Sequence, residues 1–470
     1  MLNRLDLRGS GSDDLVTRLP RPRAQTEPPV DEVRALLAEV RRDGDAALLR
    51  LTERYDGATL DSVWVPDDDL KAALEAVPDA LRAALEVAHD NITAYHETQL
   101  GPEVVHRRGG IEIRELVRPV DRVGCYVPSA EAPLVSTMLM TTIPAKVAGV
   151  GSIVAATSPR PDGTVDPGLL AAAALVGIEG VLRVGGPAVI GALAFGTETI
   201  RPVDVIVGPG SARVAQAKRE VAGQGLVGVP SAFAGPSEVV VVADAGTPPA
   251  HAAIDVILQA EHGPDGLAWL VTWDEAVADA VVAEVARLVP ESPRRRQLEA
   301  TLAEGGYAVL CDGPEQALAV SNAIAPEHLE LLVDDAESLL PLVRHAGAVF
   351  CGPLAPASVG DYLAGANHVL PTYGTARFAG ALRVDDFRKH VHVVSLGAEG
   401  LAEVGPHVVA LADYEGLPAH AESIRIRGLS ERPSAARPAE RGPAESERGP
   451  SGPVPEAPRA GGGDRAGGGS

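Results

Sequence analysis

Apolar residues recur at three- and four-residue intervals through VDEVRALLAEVRRDGDAALLRLTERYDG, which predicts an amphipathic helix ending at Asp56-Gly57. DDLKAALEAVPDALRAALEVAHDNITAYHETQL continues the pattern, with a break at Val77-Pro78. At IEIRELVRPVDRVGCYVP, residues 111–128, the period changes to that of strands. From there strand and helix alternate. SIVAAT, VLRVGG and VDVIVGPG read as strands, and PGLLAAAALVGI, VIGALAFGT and ARVAQAKREVAG as helices. SEVVVVAD, LAWLVTW and YAVLCD continue the strands, with HAAIDVILQAEHG and EAVADAVVAEVARLV between them. Strand–helix–strand alternation is how a parallel sheet with crossover helices is written. The stretch from about residue 383 to 427 reads as short and mixed, ending helix-like.

Composition narrows this picture. The chain has 470 residues, 46% apolar but only 3% aromatic, so its cores rest on Val, Leu, Ile and Ala in more than one domain. Net charge is −23, a surface that repels phosphate backbones and argues against nucleic acid. Cys125, Cys311 and Cys351 show no CxxC spacing, which points to reduced thiols in the cytoplasm. No apolar run has membrane-spanning length, and the opening residues lack a signal-peptide pattern. Residues 429–470, rich in Pro, Gly, Ser, Glu and Arg, read as a disordered tail.

Four places gather chemistry-capable side chains next to turns. In DVILQAEHGPD, Gln259 and His262 lie three apart and share a helical face, either to meet one ion or to cap a helix end before Gly263-Pro264. In APEHLELLV, Glu327 and His328 are either an acid and a base with separate tasks or a polar turn before a strand. GPLAPASVGDYLAGANHVLPT offers Asp361 as an oxygen ligand or a helix N-cap, with Asn367-His368 beyond it. EGLPAH holds Glu415 and His420, chemically capable or simply an exposed helical face. Gln, His, Asp and His make a mixed N/O set suited to zinc. The turns VGGPAVIG and VIVGPGSARV lack a GxGxxG fingerprint and serve either as tight turns or as a nucleotide's approach.

Taken together, RVGCYVPSAEAPLVSTMLMTTIPAKVAGV, GPGSARVAQAKREV, AGPSEVVVVAD, DVILQAEHGPD, APEHLEL, GAVFCGPLAPASVGDYLAGANHVLPT and EGLPAH resemble the histidinol dehydrogenase family, over roughly residues 1 to 428. The resemblance implies an α/β fold: two incomplete Rossmann-like domains with parallel-rich sheets plus small terminal segments. The boundaries it suggests are an N-terminal segment at 1–24, a first domain at 25–125 and 238–382, an NAD-side domain at 126–237, and a small C-terminal domain at 383–428. It also implies one zinc per subunit on Gln259, His262, Asp361 and His420, the last from the partner chain of an intertwined homodimer. His328 then matches the general base and Glu327 the group that activates water. Ser237 and Glu415 match further substrate contacts, and the zinc-binding side chains and His328 also face substrate. The implied reaction takes L-histidinol through L-histidinal to L-histidine with two NAD.

On the cofactor side Tyr126 keeps the family's pattern. Ser129-Ala130 replaces a Gly-Gly pair, Ala188 stands where the family has Gln, and Ser211 where it has Asn. These departures imply retained NAD binding, either weaker or in a shifted pose. Arg383 is a further departure. Together they leave open a family paralogue oxidising another small alcohol, such as a sulfopropanediol, or a zinc-binding homologue without turnover.

Overall fold

The computed structural model describes residues 2–20, 29–128, 132–230, 235, 237–261 and 266–428. The expectations for Ser129-Ala130, His262 and the 429–470 tail fall outside these residues. The chain divides into two compact units, one of residues 1–105 and 114–393, the other of 106–113 and 394–470.

The strands, in chain order, are β1 (Asn3–Asp6), β2 (Val105–Arg108), β3 (Ile111–Pro119), β4 (Arg122–Tyr126), β5 (Ser152–Ala156), β6 (Gly180–Leu182), β7 (Val205–Val207), β8 (Glu238–Ala243), β9 (Leu267–Thr272), β10 (Gly306–Leu310), β11 (His328–Leu331), β12 (Ala348–Cys351) and β13 (Arg388–Leu396). Six form a sheet in the order β1-β10-β9-β8-β11-β12, four another in the order β6-β5-β4-β7, and three a small sheet in the order β13-β3-β2. Every pairing in the six- and four-stranded sheets is parallel. EVVVVA and LAWLVT are buried along their whole length, as strands covered by helices on both faces must be.

Val30–Asp56, expected as one helix, is two helical stretches kinked at Gly44 (φ 54°), and it ends as its Asp-Gly requires, with Gly57 left-handed at φ 71°. The break at Val77-Pro78 separates helices Asp67–Ala76 and Asp79–Glu97. These helices correct the expected grouping of 25–125 with 238–382. Val33, Leu37, Val40 and Leu48 share a core with Val154, Leu182 and Ile190, while Leu85 and Ile92 pack with Val123, Met138 and Leu169. Their apolar stripes therefore cover the four-stranded sheet, and β4, expected in the other domain, is one of its central strands. The N-terminal residues are not a separate piece either. β1 pairs with β10, and Leu7, Leu15 and Leu19 are buried in the core of the six-stranded sheet.

After β13, helices Ala398–Tyr414 and Pro418–Gly428 lie in the second unit, so the stretch is mixed and ends helical, as expected. The first has Gly400, Gly405 and Pro406 in its interior, poor helix formers that hide it from a propensity reading.

Candidate functional site

Of the side chains singled out in the sequence, Gln259, Glu327, His328 and Asp361 meet at the N-terminal edge of the six-stranded sheet. His328 opens β11 and pairs in register with Val239 of β8, while Glu330, two residues on, pairs with Val241. Alternation sends His328 and Glu330 to the same face. Val239 and Val241 are in the core with Ala252, Ala253 and Val256, so that face lies under helix Pro249–Ala260. Gln259 sits in the last turn of this helix, 1% exposed. Beyond β12, helix Ala357–Tyr362 carries Asp361. Gly360 lets this helix close in, since a Cβ there would stand 2.4 Å from the Phe350 ring.

His328 is the hub. Its Nδ1 lies 3.3 Å from Gln259 Nε2 and 3.3 Å from the Glu238 carbonyl, and its Nε2 lies 3.3 Å from Asp361 Oδ1. The ring has a partner in either protonation state. When neutral, Nδ1 accepts from the Gln259 amide; when charged, it donates to the Glu238 carbonyl. Phe350 stacks beside the ring at 5.9 Å between centroids. Glu327, buried, reaches 3.6 Å from His328 Nδ1 and accepts from the Glu238 backbone N–H at 3.1 Å. The pair is buried, so it is not the exposed turn that the sequence left open. Nor is Asp361 a helix N-cap, since it is the fifth residue of its helix and the N-cap position belongs to Pro356.

Burial and neighbouring charge shape the electrostatics. Desolvation pushes the Glu327 carboxyl up to about 7, against the pull of His328. Burial opposes a charge on His328, but Glu327 and Asp361 outweigh it and raise the imidazole to about 9. Burial, then the nearby Glu327 carboxylate, lifts Glu238 to about 8. A proton is thus held within a cluster of buried acids around one imidazole.

A metal fits part of this set. Gln259 Oε1 is buried without any donor, an arrangement that costs about 1–3 kcal/mol and that a cation at the oxygen removes. Gln259 and Asp361 flank His328 from opposite sides. Among the described residues no group of three or more His, Cys, Asp or Glu forms a metal cage by itself. Glu415 and His420 belong to the other compact unit, both exposed, at the end of one helix and the start of the next.

A cavity of about 520 Å³ opens beside His328 and Asp361, lined also by Tyr95, Phe350, His368 and Arg383. His368 Nδ1 donates to the Asp361 carbonyl at 2.8 Å, leaving Nε2 to accept from Thr137 Oγ1 at 3.1 Å. Asn367 donates to the Met140 carbonyl at 2.7 Å and faces buried His96. This loop thereby ties Asp361 to helix Val135–Val147, which packs on the four-stranded sheet. Arg383 is exposed at the rim, its backbone N–H bonded to Asp386. Ser237, half-buried, immediately precedes β8, and its carbonyl accepts from Leu267.

Three polar groups next to the cluster escaped the sequence reading: Glu238, Glu330 and Asp255. Each had a signal. Glu330 alternates with His328 in HLEL, and Asp255 lies one helical turn before Gln259.

The residues expected on the cofactor side gather at the C-terminal edge of the four-stranded sheet. Tyr126 closes β4 and is buried; its hydroxyl accepts from Gly186 N–H at 3.3 Å. Its ring also bounds the second turn, since a Cβ on Gly210 would meet it at 3.3 Å. Gly208, at φ 106°, has its missing Cβ position 2.0 Å from the Tyr126 carbonyl. Ala188 is buried in the first turn of helix Gly186–Phe195, and Ser211 caps helix Ala212–Gly223 by accepting from Val214 N–H. The two turns fit a dinucleotide only through bare backbone: no side chain on Gly185, Gly186, Gly208 or Gly210 stands in the way.

Fold and cluster define an α/β protein with two parallel sheets, one edge built for proton handling and another for close backbone approach. Over residues 19–428 the sequence matches the histidinol dehydrogenase family, and the chain belongs to that family. It is 45% identical over 397 residues to a histidinol dehydrogenase of Parasynechococcus marenigrum, covering 84% of this chain and 90% of that one. A histidinol dehydrogenase of Bordetella parapertussis is 42% identical over 432 residues, 91% of this chain and 97% of its own. The crystal structure of histidinol dehydrogenase from Elizabethkingia anophelis superposes with a TM-score of 0.86 at 33% identity, covering 91% of this chain and 98% of that one. Among the described residues no helix is long and apolar enough to cross a membrane.

Proposed function

We propose that the chain is a cytoplasmic, zinc-dependent histidinol dehydrogenase that oxidises L-histidinol through L-histidinal to L-histidine with two NAD. The observation that carries this reading is the buried imidazole of His328, held between Gln259 and Asp361 with Glu327 beside it. Zinc, held by Gln259, His262, Asp361 and His420 of the partner subunit in an intertwined homodimer, supplies a cation that orients the substrate's nitrogens. Tyr126, Ala188 and Ser211 would lie on the side of NAD, which would supply the hydride acceptor.

The chain's own groups do the proton work. In its neutral form His328 takes the alcohol proton as hydride leaves the carbinol carbon, because an alkoxide expels hydride far more readily than an alcohol does. Its partner Asp361 holds the ring in place through that transfer. Glu327, its carboxyl near neutrality, takes a proton from the water that adds to the aldehyde, and the hydrate then gives up the second hydride. Burial of both groups keeps bulk water from the aldehyde between the two steps. Ser237 at the head of β8, and Glu415 of the partner subunit, contact the substrate.

Zinc-loaded protein given histidinol and NAD tests the reading. Two NADH per histidinol and a histidine product are expected. No NADH from histidinol, with another small alcohol turned over, would replace this reading with the paralogue one.

A further inference from the structure

Beneath the site lies a second pair of acids that the proposed chemistry does not use. Glu330 is fully buried and Asp255 is 5% exposed. Their carboxyl groups lie within hydrogen-bonding reach of one another, and burial raises both. No N–H or hydroxyl serves Glu330 Oε2. Two carboxylates in this position repel, so one proton bridges them, as in other buried acid pairs. Glu330 Oε1 meanwhile accepts from the Ala357 backbone N–H at 3.2 Å.

The spacing gives the arrangement its meaning. Asp255 is four residues before Gln259 on one helix, so the two share a face. Glu330 is two residues past His328 on β11, facing the same way. Ala357 is four residues before Asp361 and opens the helix that carries it. The bonds at Glu330 therefore join the three elements that bear Gln259, His328 and Asp361, one turn or one pleat behind each of them. Helix, strand and short helix come from three separate crossovers, so their mutual placement needs such a tie.

We propose that Asp255 and Glu330 form a positioning pair that sets Gln259, His328 and Asp361 in register for metal and substrate. The pair touches neither; it acts through the elements it joins. The inference rests on the proposed zinc site, and its test is chosen so that the two can fail separately.

The test measures Zn²⁺ affinity by chelator competition on the full-length protein, with circular dichroism and thermal midpoints to confirm folding. Glu330→Gln and Asp255→Asn keep the shape and supply the bridging hydrogen from an amide, so both are expected to bind zinc within threefold of wild type. Glu330→Ala and Asp255→Ala are expected to weaken zinc tenfold or more and to lower kcat on histidinol. Folded alanine variants that bind zinc within threefold of wild type overturn the proposal, whatever happens to their midpoints. So does Glu330→Gln that loses zinc tenfold, a result that decides even if the alanine variants fail to fold. Wild-type protein that takes up no zinc instead sinks the zinc site, and this inference with it; a variant result obtained on a zinc-binding wild type sinks the pair alone.

Discussion

The two parallel sheets of the first unit use opposite edges. The four-stranded sheet presents the C-terminal ends of β4, β6 and β7, where Tyr126 sits between two glycine turns. Ligands of open α/β sheets usually lie at this edge, against backbone N–H groups. The six-stranded sheet presents the N-terminal ends of β8 and β11, where Glu238 and His328 begin their strands. Backbone has little to offer there, and side chains dominate: an imidazole, an amide and several acids, all buried. One edge is shaped by what glycine leaves out, the other by what bulky polar groups bring in. A side-chain deletion should therefore be severe at the second edge and mild at the first, while an added methyl group should do the reverse.

The largest effect is expected from His328→Asn. Asparagine keeps some hydrogen bonding but cannot take a proton, and loss of a general base lowers rate by about 10²–10⁴. We expect kcat on histidinol to fall about 10³-fold, roughly 4 kcal/mol of barrier, with the folded state retained. A variant that keeps a tenth of the wild-type rate would end the role given to His328. Glu327→Gln should spare NADH formation in the first oxidation more than in the second, seen as a single-turnover NADH yield nearer one than two per histidinol.

Next comes Gly208→Ala, the converse test on the other edge. Gly208 lies at φ 106°, where a side chain strains the backbone by about 1–3 kcal/mol. Its Cβ would also press on the Tyr126 carbonyl, which cannot move without β4. The expected outcome is a lower thermal midpoint together with loss of NAD affinity, by calorimetric titration, exceeding tenfold. Wild-type NAD affinity in this variant would mean that the turn is not where the dinucleotide lies.

How much of this was legible in the residues depends on the kind of information. Runs such as EVVVVA could be nothing but buried parallel strands, so the order of elements is readable from hydrophobic spacing. Which helices cover which sheet is not: the stripe on Val30–Asp56 fits any apolar face, and only the folded chain shows it against Val154 and Ile190. Gln259, His328 and Asp361 carry individually ambiguous signals, because a helix end, a turn and a cap each explain one of them. Their convergence is a property of three crossovers packed together, which local spacing cannot encode. The resemblance to a family supplied the grouping that the spacing lacked. Ser211 shows the opposite case: the sequence marked it only as a departure from the family's Asn, and the structure shows its hydroxyl capping its own helix.

A smaller effect separates the buried acids from their surroundings. Glu330 has its carboxyl raised by burial and by Asp255, so the folded chain keeps a proton that the unfolded chain releases above its ordinary value of 4.5. Stability from this group is therefore greatest at low pH and declines as pH climbs above 4.5, by at most about 1.4 kcal/mol per pH unit for one proton. Urea unfolding of wild type and Glu330→Gln between about pH 6 and about pH 8 isolates it. The variant should show the shallower fall, because its amide hydrogen does not dissociate. Parallel curves would mean that the pair holds no extra proton.

Tyr126→Phe carries the smallest expected effect and makes the sharpest distinction between the edges. The hydroxyl accepts one hydrogen bond, from Gly186 N–H at 3.3 Å, while the ring does the larger share of packing beneath both turns. Phenylalanine preserves the ring and removes only the acceptor. Such a bond contributes about 0.5–1.5 kcal/mol, so the thermal midpoint should drop by a few degrees at most. The freed Gly186 N–H sits at the head of a helix, where it can turn to a phosphate instead. NAD affinity is therefore expected to change less than about fivefold in either direction. A tenfold loss would show that this edge, too, works through a polar side chain, and the contrast between bare backbone on one sheet and buried side chains on the other would no longer hold.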